Sequence, residues 1–134
     1  MTQEQKDLLL KDLCARLPYG VILNCCEIVS EPLTLISYKG LVNNDYDIDE
    51  VKPYLFPLSS MTEEQKHELK MSTCPNGTGY FNEYSLCCPV NHFGEEIPFD
   101  FMSSIIDYLN KNHFDYHGLI EKGLAIDATS KNIY

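Results

Sequence analysis

Val21-Ile22-Leu23-Asn24-Cys25-Cys26-Glu27-Ile28-Val29, then Glu31-Pro32, then Leu33-Thr34-Leu35-Ile36-Ser37-Tyr38, is the segment from which the fold class is read. Both runs are rich in β-branched and apolar residues, which suit a pleated, half-buried surface, and Pro32 punctuates them. Their close spacing predicts an antiparallel hairpin. Upstream, Thr2 followed by Gln5 reads as a capping box, and Leu9, Leu10, Leu13, Cys14 and Leu17 recur at helical spacing, so a first helix is expected over residues 3–16. Pro18 to Gly20 ends it. Downstream, Lys39-Gly40 and Asn43-Asn44 mark turns, and Tyr46 and Ile48 alternate with Asp45, Asp47 and Asp49 as in a short third strand with one wet face.

Further along, Pro53 and Pro57 predict an irregular or single-turn segment over residues 51–58, because each removes a backbone donor and restricts its predecessor. Thr62 with Gln65, and Glu63 and Glu64 in the first turn, announce a second helix to about Lys70. Pro75 to Gly79 is a turn, and residues 80–90 are expected as another hairpin or a long surface loop. The clearest periodicity runs from Pro98 to Leu109, where Phe101, Met102, Ile105, Ile106 and Leu109 form one apolar stripe. Residues 113–125 read as a turn, a short helical segment around Leu119 to Lys122 and a final extended piece, with 128–134 as a loose tail. These elements predict one α+β domain over residues 1–134, a small antiparallel sheet packed against two or three helices.

Charge narrows the partners. The 134 residues carry a formal net charge of −10 with a single arginine, Arg16, which argues against a phosphate-backbone ligand or an anionic membrane surface. No lysine or arginine falls between Lys70 and Lys111, whereas Glu83, Glu95, Glu96, Asp100 and Asp107 do, so partners there should be basic, cationic or apolar. The first residues lack the basic start and apolar run of a signal peptide, and no segment reaches the ~18 apolar residues of a spanning helix. The expected location is therefore a bacterial host cytoplasm, where the six cysteines stay thiols.

Several constellations invite a chemical reading. Asp45, Asp47 and Asp49 begin like a calcium loop, but the sixth position has Glu50 in place of glycine and the twelfth has Phe56 in place of a bidentate acid. A solvated strand face outweighs a loose divalent-ion site. Cys74, Cys87, Cys88 and His92 supply soft ligands for zinc, yet no two cysteines are separated by two residues, and neighbours on an extended chain point to opposite faces. Buried thiols acting as small hydrophobes are the stronger reading, and no cofactor is assigned. His113 and His117, with Asp115 between them, would share a helix face, but Gly118 and the aromatic Phe114 and Tyr116 indicate a turn with local hydrogen bonding. There is no Gly-x-Ser-x-Gly elbow and no phosphate-cradling glycine loop, so catalytic residues are not assigned. Nine tyrosines offer an interaction surface.

Three blocks, Leu17-Pro18-Tyr19-Gly20-Val21, Val51-Lys52-Pro53-Tyr54-Leu55-Phe56-Pro57-Leu58-Ser59-Ser60-Met61-Thr62-Glu63-Glu64 and residues 101–125 ending in His113-Phe114-Asp115-Tyr116-His117-Gly118-Leu119-Ile120-Glu121-Lys122-Gly123-Leu124-Ala125, resemble a family of small uncharacterised proteins of gut Bacteroidetes and their phages and prophages. The resemblance spans much of the chain and implies no activity and no functional residues. His117 stands where that family usually has an arginine, and the cysteine-bearing part from about 72 to 97 varies within it, so neither an anion site at 117 nor a zinc at Cys74, Cys87 and Cys88 is implied. The leading expectation is a non-enzymatic accessory protein of phage or mobile-element origin that binds a host or phage protein through an acidic, tyrosine-bearing surface. A nucleic-acid mimic that occupies a DNA-binding protein is the alternative, and a metal-binding or hydrolytic enzyme is the third.

Overall fold

The computed structural model describes residues 1–25, 29–73, 79–80, 90–91 and 99–134. Helix α1 (Gln3–Arg16) starts at the expected capping box, in which Gln5 N donates to Thr2 Oγ1 (3.2 Å) and Thr2 N donates to Gln5 Oε1 (2.9 Å). It runs into a 3-10 turn over Leu17–Tyr19 and stops at Gly20, whose φ of 68° is a left-handed conformation that only glycine adopts cheaply. Its buried stripe is Leu9, Asp12, Leu13 and Arg16, while Cys14 is exposed. The helix is therefore rotated from the expected Leu9, Leu10, Leu13, Cys14 face, and two charged residues lie on its inner side.

A hairpin forms, but not between the two expected runs: its second strand lies at the end of the first run and in the link to the second. Strand β1 (Ile22–Cys25) pairs antiparallel with β2 (Val29–Pro32), with Leu23 opposite Glu31 and Cys25 opposite Val29. The second expected run, Leu33 to Tyr38, is not a strand. It enters helix α2 (Leu35–Val42), because Thr34 and Ser37 close a capping box: Ser37 N donates to Thr34 Oγ1 (3.2 Å) and Thr34 N to Ser37 Oγ (2.8 Å). A local hydrogen-bonded start overrides the strand propensity of Leu35 and Ile36. The expected strand at Tyr46 and Ile48 is likewise a turn, a 3-10 segment over Ile48–Glu50 capped by Asp47, whose Oδ1 accepts from Asp49 N at 2.9 Å.

The third strand lies where an irregular segment was expected. Strand β3 (Val51–Pro57) occupies the middle of the sheet despite Pro53 and Pro57. It changes partner at the first proline: residues 51–53 pair antiparallel with β1, and residues 54–57 pair with two other strands. There β7 (Ile126–Asp127) and β6 (Phe114–Asp115) pair with it in parallel. Pro53 thus closes one ladder and Pro57 ends the strand, positions where a missing donor is tolerated. The chain has the expected α+β class, and its sheet, ordered β2-β1-β3-β6 with β7 also on β3, is mixed.

Helix α3 (Glu63–Thr73) begins at the expected Thr62–Gln65 box, and α4 (Phe99–Lys111) matches the strongest periodicity. The residue pairs Gly79–Asn91 and Tyr80–Val90 join the short strands β4 (Gly79–Tyr80) and β5 (Val90–Asn91). Leu9, Leu13, Leu23, Val51, Leu55 and Leu119 are among the residues of one apolar cluster, and Met61, Leu69, Ile105, Leu109 and Phe114 form a second under α3 and α4. The segment expected as a loose tail is anchored: Ala128 is fully buried and donates from its N to Leu55 O (2.8 Å). Tyr134 Oη accepts from Ile22 N (2.9 Å) and donates to Tyr54 O (2.8 Å). Among the described residues, no helix is long and apolar enough to cross a membrane.

Candidate functional site

Two polar assemblies emerge, and they do different things. The first is built on the inner face of α1. Arg16 and Asp12 are fully buried and four residues apart, with Arg16 Nε donating to Asp12 Oδ2 at 2.6 Å and Nη2 to Oδ1 at 3.1 Å. Nη2 also donates to Phe114 O (2.7 Å), and the guanidinium sits 5.1 Å from the centre of the Tyr116 ring. His117 Nδ1 lies 2.8 Å from Asp12 Oδ1, and Tyr116 Oη donates to the buried Asn110 Oδ1 at 2.8 Å. Burial pushes the Asp12 carboxyl up, but hydrogen bonds from His117 and Arg16 and their positive charge outweigh it and hold its pKa below the ordinary value. The only arginine of this acidic chain is thus spent on joining α1 to the segment after α4.

His113, Asp115 and His117 part company in this frame. Asp115 is buried, and its two carboxylate oxygens accept from Leu119 N and Ile120 N at 2.9 Å each, which makes it the organiser of the turn at 119–123. That turn stands where a short helical segment was expected. His113 takes the left-handed position after α4, with φ at 62°, and stacks on Tyr134 at 3.8 Å between ring centres. Its Nδ1 is buried without a hydrogen-bond partner, and burial, then the charge of Arg16, push its pKa down to about 4. His117 keeps 23% of its side chain exposed, and it is the member held by Asp12. The three residues hold the chain in place rather than converging on a ligand.

Asp45, Asp47 and Asp49 are also separated by role. Asp47 caps its turn, and Asp49 pairs with Lys6 (3.4 Å) and with the Met1 amino group (3.7 Å). Among the described residues, no three of the His, Cys, Asp and Glu side chains are grouped to hold a metal ion. Cys74, Cys87, Cys88 and His92 lie outside the described residues.

The second assembly is an open groove of about 590 Å³ between α2, the sheet and the turn at 45–50. Leu23, Cys25, Leu41 and Val51 form its apolar floor, with Ile36 and Tyr46 on its walls. Glu31, Asp45, Asp47 and Glu50 supply its charge, and no lysine, arginine or histidine is among its described lining residues. The wall at Tyr46 depends on Gly40. A Cβ at 40 would meet the Tyr46 ring, so the bare glycine of α2 lets that ring lie against the helix. Two backbone bonds fix the approach, Asp45 N and Tyr46 N both donating to Gly40 O at 2.8 and 3.2 Å. The wall residues Ile36 and Tyr46 are 78% and 53% exposed, and Leu35 and Val42 on the outer face of α2 are 55% and 49% exposed.

Cys25 places a thiol on the floor. Burial, then the charge of Glu31, push its thiol pKa up, so at neutral pH it is a weak nucleophile and a small apolar contact. Sequence reasoning missed the groove because its walls come from α2, read as a strand, and missed Asp12 and Arg16 because apolar residues alone were used to place the face of α1. The signal for the pair was present: an acid and a base four residues apart, in phase with Leu9 and Leu13. Comparison with protein-family models, with curated proteins and with solved structures returns no match for this chain.

Proposed function

We propose that this is a non-enzymatic interaction protein that binds a host or phage protein through the acidic, apolar face formed by α2 and the turn at 45–50. The observation that carries the reading is the concentration of exposed apolar side chains there. Four of the six large hydrophobic residues exposed among the described residues, Leu35, Ile36, Val42 and Tyr46, fall within twelve positions, and two of them, Ile36 and Tyr46, line one concavity. Isolated exposed apolar residues need no explanation, but a contiguous patch rimmed by polar groups is the ordinary signature of a binding surface. Tyr46 is a suitable anchor, since a tyrosine contributes a large contact area at little entropic cost. A phage or mobile-element origin is in keeping with the family resemblance of the 51–64 and 101–125 blocks.

Affinity capture from host lysate tests the proposal when the wild type is compared with Ile36→Glu and with a charge change remote from the patch, Glu121→Gln. The expected result is one stoichiometric protein retained by wild type and Glu121→Gln and lost by Ile36→Glu. A partner indifferent to Ile36→Glu would remove the patch from the argument. Capture of a DNA-binding protein that DNA displaces would favour the nucleic-acid-mimic reading instead.

A further inference from the structure

The charge and shape of the groove say more about its occupant than the patch does. Its lining carries four carboxylates, Glu31, Asp45, Asp47 and Glu50, and no cation among the described residues. Its floor is apolar, and its volume of about 590 Å³ lies in the range that encloses side-chain-sized or drug-sized apolar groups. Resting on the interaction reading above, we infer that the groove receives a basic peptide segment of the partner, with one large apolar side chain on Leu23, Leu41 and Val51 and flanking lysines or arginines facing Glu31, Asp45 and Asp47.

Other occupants fit the observations less well. A second copy of this chain, at net charge −10, would on balance bring one acidic surface against another. A small cation would fill the concavity yet leave the apolar side chains of Leu35 and Val42, which lie outside it, in water. A peptide covers both, because its neighbouring residues continue from the groove onto the outer face of α2. Carboxylates at an open groove act through water and are screened by salt, so they contribute orientation and encounter rate, while the apolar floor holds the anchor.

The test uses the full-length protein, isotope-labelled, and a synthetic seven-residue probe of alternating Lys and Leu with a central Phe. Three comparison ligands accompany it: the same peptide with Glu for Lys, the same peptide with Ser for Leu and Phe, and phenethylammonium. Expected are amide shifts confined to residues 23–25 and 31–51, an affinity several-fold weaker when salt rises from about 50 to 300 mM, and a further weakening of about 5-fold in Asp45→Asn/Asp47→Asn. Asn at 47 preserves the cap, so the thermal midpoint of that variant should stay at the wild-type value. Equal binding of the Glu peptide, equal binding of the Ser peptide, shifts mapping elsewhere, or phenethylammonium matching the peptide would each overturn the inference. If the Lys peptide fails while Ile36→Glu still abolishes capture of the cellular partner, the interaction reading stands and the basic-segment inference falls.

Discussion

Arg16 and Asp12 show how a charged pair becomes part of a core. Both are fully buried, so each depends on the other and on the groups that accept or donate around them: Phe114 O, Tyr116 and His117. Removing one partner strands an uncompensated charge, so Asp12→Ala or Arg16→Met should cost about 3–5 kcal/mol in urea unfolding. Asp12→Leu/Arg16→Met, which removes both charges, should be closer to wild type than either single variant; a double as damaging as the sum would show that the two act independently. His113 supplies a pH dependence of known sign. Its folded pKa of about 4 lies below the ordinary 6.5, so the unfolded chain binds a proton that the folded chain refuses. The corresponding stability is fully present above pH 6.5 and is lost as pH falls from there to about 4. His113→Asn, which tolerates the left-handed backbone, should flatten the thermal midpoint against pH across that window. Asp12, with its lowered pKa, contributes a separate loss at more acid pH, below the ordinary carboxylate value of 3.8.

Helix α2 is where local rules conflict, and the cap wins. Leu35 and Ile36 suit a strand, but Thr34 and Ser37 satisfy each other's backbone N–H groups and nucleate a helix of eight residues. Thr34→Ala should therefore lower stability by about 1 kcal/mol, and the loss of amide protection in hydrogen exchange should concentrate in residues 35–42. Gly40 in the same helix is kept against helix propensity, since alanine there is intrinsically better by about 1 kcal/mol. Its Cβ would displace the exposed Tyr46 ring, a flexible end that can swing away. Gly40→Ala is accordingly expected to leave the thermal midpoint unchanged or raised while weakening the Lys/Leu probe several-fold, with loss of the Tyr46 ring contacts seen by NMR. Unchanged probe affinity would mean that Tyr46 is no wall of the binding site. The starts of α1 and α3, by contrast, were readable from their capping boxes and α4 from its apolar stripe, although the buried face of α1 was not.

At the scale of the molecule, the end of the chain closes the sheet. Tyr134 bridges β1 and β3 through Ile22 N and Tyr54 O, and its ring lies against His113 and Phe56. Burial pushes its hydroxyl pKa up to about 12, so it stays protonated and able to donate across the neutral range. Tyr134→Phe should cost about 1 kcal/mol and speed amide exchange at Ile22, while Tyr134→Ala should cost more, since it also removes the ring contacts. A Tyr134→Ala variant as stable as wild type would mean that residues 128–134 behave as the loose tail their polarity suggests.

The sequence alone determined the α+β class, the starts of α1 and α3, the course of α4 and the net charge of −10, because those properties reside in residues a few positions apart or in composition. The central place of β3 was not legible, since two prolines forbid it locally and only a change of partner at Pro53 permits it. The burial of Arg16 against Phe114 and of Asp12 against His117 joins residues 98 and 105 positions apart, so no local pattern reports those contacts. The groove has the same origin. Its floor is drawn from two strands and α2, its walls from that helix and a turn, and only the packing of α2 over the sheet brings an apolar surface and four carboxylates together.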